Sequence, residues 1–151
     1  MKNKKILITC IVVVLLVVIL LVILSLNDKH LSKKYYGKHE YITVETDDID
    51  RMKNETYLLY IHYDYCIFTV PTDNVIQEMM DKYNISVLKM HYEKFSKTYL
   101  HDEVKYAPSL IIVKNGKILD FLDAESDEDL HKYQDSNKMA EWVSEYVDLT
   151  K

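Results

Sequence analysis

The stretch YAPSLIIVKNGKI, residues 106–118, sets two apolar runs around a tight turn. Residues 109–113 (SLIIV) and residues 118–122 (ILDFL) are typical of β-strands. Between them, Asn115-Gly116 is the dipeptide favoured in a two-residue type I′ turn, because both central residues of that turn need a positive φ. The sequence therefore predicts an antiparallel β-hairpin over this region.

Strand and helix patterns alternate before the hairpin, and a helix follows it. The second and third predicted strands are almost continuously apolar or aromatic, as in strands buried on both faces of a sheet. This order predicts an α/β sandwich around a mixed sheet. The elements are a strand at 40–45, a helix at 46–55 capped by Thr46, a strand at 56–63, a helix from Thr69 or Thr72 to Tyr83, a strand at 85–92, a loosely helical stretch at 93–106, the hairpin, and a closing helix that carries Met139, Trp142, Val143, Tyr146 and Val147 on one face.

The step Ala107-Pro108-Ser109 into a strand, a K-x-G-K turn and a second strand resembles the cis-proline segment of thioredoxin-fold proteins. Upstream, YLLYIHYDYC is similar to the strand that leads into the redox loop of that family, with Tyr65-Cys66 where the family has Trp-Cys. The resemblance covers residues 40–148. It implies a three-layer α/β/α sandwich with a mixed sheet and a cis peptide bond before Pro108.

In thioredoxin-fold proteins the cis peptide lies against the redox loop, and the neighbouring backbone pairs with an extended partner segment. The resemblance therefore implies that Tyr65, Ala107 and Pro108 bind a partner. An anchored, exported chain of this kind is also similar to the thioredoxin-like accessory proteins of Gram-positive bacteria.

The family's motif has two cysteines, but this region has only Cys66. Cys66 can be aligned with either the first or the second cysteine of the motif. With Cys66 in the first slot the motif is C-x-x-T, and the resemblance makes Cys66 and Thr69 the catalytic pair, with a helix N-terminus stabilising the thiolate. With Cys66 in the second slot, Pro71 matches the family's spacing, Tyr63 occupies the first slot and the sulfur has nothing to resolve. The family's buried acid falls near Tyr60 and is absent, which weakens the catalytic interpretation.

Three functions are compatible with these residues. The leading one is binding or assisting an exported partner, with at most partial thiol chemistry at Cys66. The first alternative is active thiol–disulfide exchange with Cys66 as nucleophile, so enzymatic activity stays open. The second is a structural subunit of a secretion or conjugation apparatus. Cys66 is also compatible with a plain semi-buried apolar cysteine.

Residues 6–26 form an apolar run of 21 residues without charge, glycine or proline. A helix of that length crosses a hydrocarbon core of about 30 Å. A cleaved signal peptide is the alternative, although its apolar region is normally about 7–15 residues. We expect a cytoplasmic tail at residues 1–5, a single membrane span at 6–26, a linker at 27–39 that lifts the domain off the membrane, and an extracytoplasmic domain at 40–151.

The composition of residues 27–151 excludes several classes of function. Sixteen Lys and Arg residues face 24 Asp and Glu residues, a balance unsuited to nucleic acid. The histidines show no metal-ligand spacing, and the two glycines, Gly37 and Gly116, cannot form a nucleotide-binding loop. We predict no metal and no cofactor; the expected partners are a protein and, through the N-terminal helix, the cell membrane.

Overall fold

The computed structural model describes residue 11, residues 13–20, residues 29–64 and residues 71–150. Residue 11 and residues 13–20 are helical. The remaining elements are β1 (Tyr41–Thr43), α1 (Thr46–Arg51), β2 (Thr56–His62), α2 (Thr72–Tyr83), β3 (Val87–His91), α3 (Tyr92–Phe95), β4 (Ser109–Lys114), β5 (Lys117–Phe121), α4 (Asp127–Leu130) and α5 (Ser136–Tyr146), with short 3₁₀ turns at Lys33–Tyr35 and Tyr99–Asp102.

The five strands form one mixed sheet in the order β1-β3-β2-β4-β5. The first three strands of the chain run parallel, whereas β4 is antiparallel to β2 and β5 is antiparallel to β4. Strand β2 lies at the centre, and its first six residues are all buried. The central position explains why the sequence of β2 is continuously apolar or aromatic instead of alternating.

Helices cover both faces of the sheet. The connection through α1 runs from β1 past β3 to β2, and the connection through α2 returns from β2 to β3. Because such crossovers between parallel strands are right-handed, opposite directions of travel place α1 and α2 on opposite faces. Helix α2 packs against α5, and α1 is joined to α3 by the Thr46 hydroxyl, which donates to the Lys94 carbonyl at 3.0 Å. The predicted three-layer sandwich is confirmed.

The predicted hairpin turn is confirmed at Asn115 and Gly116, whose φ angles are 51° and 72°. Lys114 pairs with Lys117 across it. The prediction for the start of α1 is wrong, because Glu45 and not Thr46 is the N-cap. The side chains of Glu45 and Asp48 each bond the other's backbone N–H, with Asp48 Oδ2 at 2.9 Å from the Glu45 nitrogen. This reciprocal box leaves the Thr46 hydroxyl free to bond α3.

Residues 29–38, predicted as part of a linker that lifts the domain off the membrane, pack into the domain. Leu31 and Tyr35 are buried, and Tyr36 is nearly so. The hydroxyl of Tyr36 donates to the Asp148 carbonyl at 2.6 Å, and the backbone N–H of Ser32 donates to the Thr56 carbonyl at 2.9 Å. The polar and basic composition concealed three large apolar side chains, which bury their surface when the segment folds back.

No helix within the described ranges is both long and apolar enough to cross a membrane. Residues 6–10, 12 and 21–26, which make up more than half of the predicted span, lie outside the described residues. The anchor therefore stays a prediction.

Candidate functional site

The candidate site lies where β2 and β3 end and β4 begins, which we call the site end of the sheet. Because β4 is antiparallel to β2, its first residue, Ser109, pairs with Ile61 near the end of β2. The Ala107–Pro108 peptide immediately precedes Ser109 and is cis, as predicted. Ala107 and Pro108 are both partly exposed, so this peptide is accessible from solvent.

The three other predicted site residues, Tyr65, Cys66 and Thr69, lie outside the described residues. The residues that flank them are described. Strand β2 ends at His62, and α2 begins at Thr72 with Pro71 as its N-cap. Both elements reach the site end, because α2 returns antiparallel to β2. The two registers of the cysteine motif both stay predictions.

The buried side chain of Tyr133 contacts the backbone of the cis-proline segment. Its hydroxyl lies 2.9 Å from the Pro108 carbonyl oxygen and 2.6 Å from the Leu122 carbonyl oxygen. The Ser109 hydroxyl donates to the same Leu122 carbonyl at 2.7 Å. Burial raises the pKa of Tyr133 well above its ordinary value, so its hydroxyl keeps its proton. The loop after β5 is thereby tied to the start of β4, which fixes the backbone around Pro108.

A half-buried ion pair lies between α2 and the sheet. Asp73, in the first turn of α2, is ion-paired with Lys89 in the middle of β3. The other carboxylate oxygen of Asp73 is 3.5 Å from the hydroxyl of the buried Tyr60. The Lys89 ammonium lies 4.8 Å from the ring centroid of Tyr41 and 5.6 Å from that of Tyr60. A carboxylate therefore stands beside Tyr60, although β2 itself provides none.

The prediction from sequence missed both Asp73 and Lys89. Lys89 is the one charged residue in the otherwise buried run 85–90, and a charge in such a strand signals a partner. The sequence could have shown that a partner was needed. It could not have shown which element supplies the carboxylate, because Asp73 is also an ordinary acidic residue for a helix's first turn.

Aromatic and histidine side chains line the site end next to β2 and β3. The His62 and His91 rings meet edge to face at 5.4 Å, and the Tyr63 and Tyr92 rings lie 4.8 Å apart. Tyr63 is 45% exposed. We call His62, Tyr63, His91 and Tyr92 the aromatic rim. Burial is the main cause that lowers the pKa of His62, which favours the neutral ring.

The rim offers a mixed apolar and hydrogen-bonding surface. The Tyr92 hydroxyl donates to the Lys105 carbonyl at 2.7 Å, and a His91 ring nitrogen lies 3.6 Å from a carboxylate oxygen of Asp64. Across the described ranges, no three His, Cys, Asp or Glu side chains are grouped so that they could hold a metal ion. The arrangement is suited to packing against a peptide, since exposed tyrosines favour interfaces.

Comparison with known proteins gives a fold but no family. No family model matches the chain, and no curated protein matches it. Among solved structures it is similar to a mutant thioredoxin from Halobacterium salinarum, with a TM-score of 0.51 and 15% identity over 76% of this chain and 97% of that one.

Two further thioredoxins are similar in the same way. For the protein from Nicotiana alata the TM-score is 0.51 and the identity 14%, over 78% of this chain and 98% of that one. For the protein from Plasmodium falciparum the values are 0.50 and 16%, over 72% and 98%. At these identities the likeness shows a thioredoxin-like fold, and fold alone does not determine function.

Proposed function

We propose that this chain is a membrane-anchored protein whose thioredoxin-like domain binds an extended segment of an exported partner protein, with at most partial thiol chemistry at Cys66. The observation that carries the proposal is the cis Ala107–Pro108 peptide, partly exposed at the site end and held from below by Tyr133. A fixed backbone bordered by exposed rings suits an extended peptide, because main-chain hydrogen bonds give affinity and side-chain contacts give specificity.

The aromatic rim supports partner binding independently of the cysteine. Tyr63 of the rim is 45% exposed, and Tyr106, which directly precedes the cis Ala107–Pro108 peptide in the sequence, is 51% exposed. Amphipathic rings of this kind contribute large contact areas at interfaces. The proposed partner segment would lie across these rings and along the backbone that precedes β4.

Thiol–disulfide exchange is the second candidate, and the Asp73–Lys89 pair favours it. In the exchange step the Cys66 thiolate attacks one sulfur of a partner disulfide, a new S–S bond forms, and the second partner sulfur leaves as a thiolate. Thr69 cannot resolve the mixed disulfide, so a thiol of the partner must do so. Asp73 supplies a carboxylate next to Tyr60, from α2, where the sequence of β2 has none.

The anchor is proposed from the sequence of residues 6–26 together with its described part. Residues 13–20 are helical, and their side chains are all apolar and 50–61% exposed. Apolar side chains that no other part of the described chain covers are suited to lipid. The proposed orientation leaves residues 1–5 in the cytoplasm and the domain outside.

The function is tested on the full chain in detergent, with Cys10→Ser as background so that Cys66 is the one thiol. Alkylation of Cys66 is followed against pH, and mixed disulfides are trapped with Cys66→Ser as control. The proposed binding role predicts that a captured partner is retained by Cys66→Ala and lost by Tyr63→Ala. A Cys66 pKa well below about 8.5, with partner capture abolished by Cys66→Ala, would instead establish exchange as the main activity.

Topology needs its own experiment. A tag placed after Lys151 is exposed to protease added to intact cells. Digestion of the tag supports the extracytoplasmic domain, and protection of the tag in intact cells but not in lysed cells overturns it.

A further inference from the structure

The end of the sheet opposite the site end gathers four segments, which we call the base: residues 29–38, 51–55, 114–117 and 145–150. Strands β2 and β3 begin here, and β4 ends here, since Thr56 pairs with Lys114. Backbone hydrogen bonds join the segments: Ser32 to the Thr56 carbonyl at 2.9 Å, Asn115 to the Glu55 carbonyl at 2.9 Å, and Asp148 to the Lys29 carbonyl at 2.7 Å.

The base has the opposite charge balance to the domain. Its four segments carry more basic than acidic residues: Lys29, Lys33, Lys34, Lys38, Arg51, Lys53, Lys114 and Lys117 against Glu55, Glu145 and Asp148. Three acids outside the segments, Glu40, Asp48 and Asp50, pair with basic residues of the base and reduce this excess from five to two. Residues 27–151 as a whole are net acidic. The run from Asp120, near the end of β5, to Asp129 begins at the site end and carries six acidic residues and no basic one. The basic excess therefore lies at the base, whereas an acidic run lies near the site end.

Part of the positive charge at the base is paired within the domain. Lys34 pairs with Glu55 at 2.8 Å, and Lys38, Arg51 and Lys53 pair with Glu40, Asp48 and Asp50. Lys29, Lys33 and Lys117 make no ion pair with any described residue; the Lys29 ammonium donates to the Glu145 carbonyl at 3.0 Å. These three side chains carry positive charge that no described carboxylate holds in an ion pair, although Glu145 lies in the same cleft as Lys29 and Lys117.

A cleft of about 620 Å³ opens within this surface. Three lysines, Lys29, Lys114 and Lys117, line it together with Glu145, and Leu119 and Tyr146 add apolar walls. Leu119 is 40% exposed, although it lies in a strand. Cationic side chains next to an exposed leucine and a tyrosine match the chemistry of the boundary between headgroups and acyl chains.

The base follows the apolar run closely in the sequence, which places it near the surface of any bilayer that the run crosses. Three chain steps separate Leu26, the end of that run, from Lys29. Fully extended, they reach at most about 11 Å. The headgroup region extends about 5–8 Å beyond the hydrocarbon core on each side. Even at full reach, Lys29 therefore stays within one Debye length of the headgroups, about 8 Å at physiological ionic strength, and is attracted if they are anionic. Because residues 29–38 are packed into the domain, only Asn27 and Asp28 lie between the end of the apolar run and the base in the sequence.

We propose that the base docks on the anionic headgroups of the lipid bilayer in which residues 6–26 are anchored. Each lysine near such a surface shifts the balance of docked over undocked domain by about fivefold. Strand β2, with seven residues, spans about 20 Å, so docking turns the site end away from the bilayer. This inference rests on the proposed anchor, and its test separates the two.

The full chain is reconstituted in nanodiscs of neutral phosphatidylcholine and in discs with about a third phosphatidylglycerol, the anionic lipid on which docking relies. Lysine acylation is followed residue by residue by mass spectrometry. Docking predicts that Lys33 and Lys117 react about fivefold or more slowly in anionic discs, whereas Lys105 at the site end is unchanged. The protection disappears at 0.5 M salt, where the Debye length falls to about 4 Å.

Charge reversal provides the matched variants. Lys117→Glu and Lys105→Glu change the net charge equally, and both residues are exposed. Docking predicts that Lys117→Glu restores the acylation rate of Lys33 in anionic discs and that Lys105→Glu leaves it slow. Equal Lys33 rates in neutral and anionic discs overturn the proposal. So does the same protection in neutral discs when inorganic phosphate is added, because the base would then be a site for a free anion.

A separate flotation experiment with vesicles tests whether residues 6–26 anchor the chain in a bilayer. Salt-resistant flotation with neutral vesicles supports it. If the full chain does not float with neutral vesicles, the anchor is wrong, and docking then predicts salt-sensitive flotation with anionic vesicles alone. Absence of flotation with both kinds of vesicle overturns both proposals.

Discussion

Asp73 and Lys89 form an ion pair across the contact between α2 and β3, beside the hydroxyl of Tyr60. The pair is only partly exposed, with 40% of the Asp73 side chain and 24% of the Lys89 side chain open to solvent. It brings a carboxylate to the position where the sequence of β2 offers a tyrosine. Removing either partner leaves the other partly buried charge without its ion pair, so the two residues are expected to act as a unit.

A double-mutant cycle tests this unit. Asp73→Asn and Lys89→Met are each expected to lower the free energy of unfolding by about 1–2 kcal/mol, a range reduced for solvent screening of a partly exposed pair. The double variant should lose less than the sum, with a coupling energy of about 1 kcal/mol. Urea unfolding of the four proteins measures it. A coupling below about 0.3 kcal/mol contradicts the finding, since distant residues are additive to about that limit.

Tyr133→Phe tests the bond that holds the cis-proline segment. The variant keeps the ring but leaves the Pro108 carbonyl without the hydroxyl at 2.9 Å. The free energy of unfolding is expected to fall by about 1–2 kcal/mol, because the part-buried Pro108 carbonyl and the buried Leu122 carbonyl both lose the Tyr133 hydroxyl. Tyr106→Phe, at a ring that is 51% exposed, is the control and should change it by less than about 0.5 kcal/mol. Equal effects in the two variants contradict the role of Tyr133.

The fold could be predicted from the sequence where a local pattern has a single explanation. Asn115-Gly116 between two apolar runs predicted the hairpin, and the apolar run at residues 56–63 predicted a strand buried on both faces, as found for β2. The Asp73–Lys89 pair could not be predicted, because it joins two elements whose separation in space depends on the packing of α2. The residues of the predicted cysteine motif lie outside the described ranges, so that part of the site stays a prediction.

The packing of residues 29–38 could not be predicted for a different physical reason. Four lysines in ten residues dominate the composition, and composition indicates a solvated linker. The apolar residues are few and irregularly spaced, so no helical or strand period marks them. Their burial depends on a groove formed by the starts of β2 and β3 and by the end of the chain, as in the bridges His30–Asp148 and Tyr36–Ile85.

Leu31→Ala tests whether this segment belongs to the domain. Leu31 is 2% exposed, so truncation should lower the free energy of unfolding by about 2–4 kcal/mol through lost burial and the cavity that remains. Lys33→Ala, on an exposed side chain two residues later, should change it by less than about 0.5 kcal/mol. A detached linker would show no effect in either variant when unfolding is followed by Trp142 fluorescence.

The two glycines provide a matched pair for the hairpin turn. Both have positive φ, but a Cβ at Gly116 would lie 3.2 Å from the Tyr99 hydroxyl and 3.3 Å from the Lys53 carbonyl oxygen, whereas a Cβ at Gly37 would meet nothing within 4 Å. Gly37→Ala should destabilise by about 1 kcal/mol, from backbone strain alone. Gly116→Ala should destabilise by about 1 kcal/mol more, because its neighbours must also shift. Equal midpoints of urea unfolding would contradict the close approach.

His62 gives the domain a pH dependence whose sign follows from its environment. Burial first, and then the charge of Lys89, lower its pKa below the ordinary 6.5, while a bond to the Tyr63 carbonyl and the charge of Asp73 partly oppose them. The unfolded chain therefore binds this proton more readily than the folded one. The stability that neutral His62 contributes is complete above pH 6.5 and is lost as the pH falls through the folded-state pKa.

We therefore expect the free energy of unfolding to decrease as the pH falls from 7 to 5, and His62→Gln to make that decrease smaller. His39→Gln, at an exposed histidine, is the control and should keep the decrease of the parent protein. Urea unfolding at half-unit pH intervals measures the slopes, and NMR titration of the His62 ring gives its pKa directly. Identical slopes in the parent and His62→Gln proteins would show that His62 titrates alike in the folded and unfolded states, against the burial found at the end of β2.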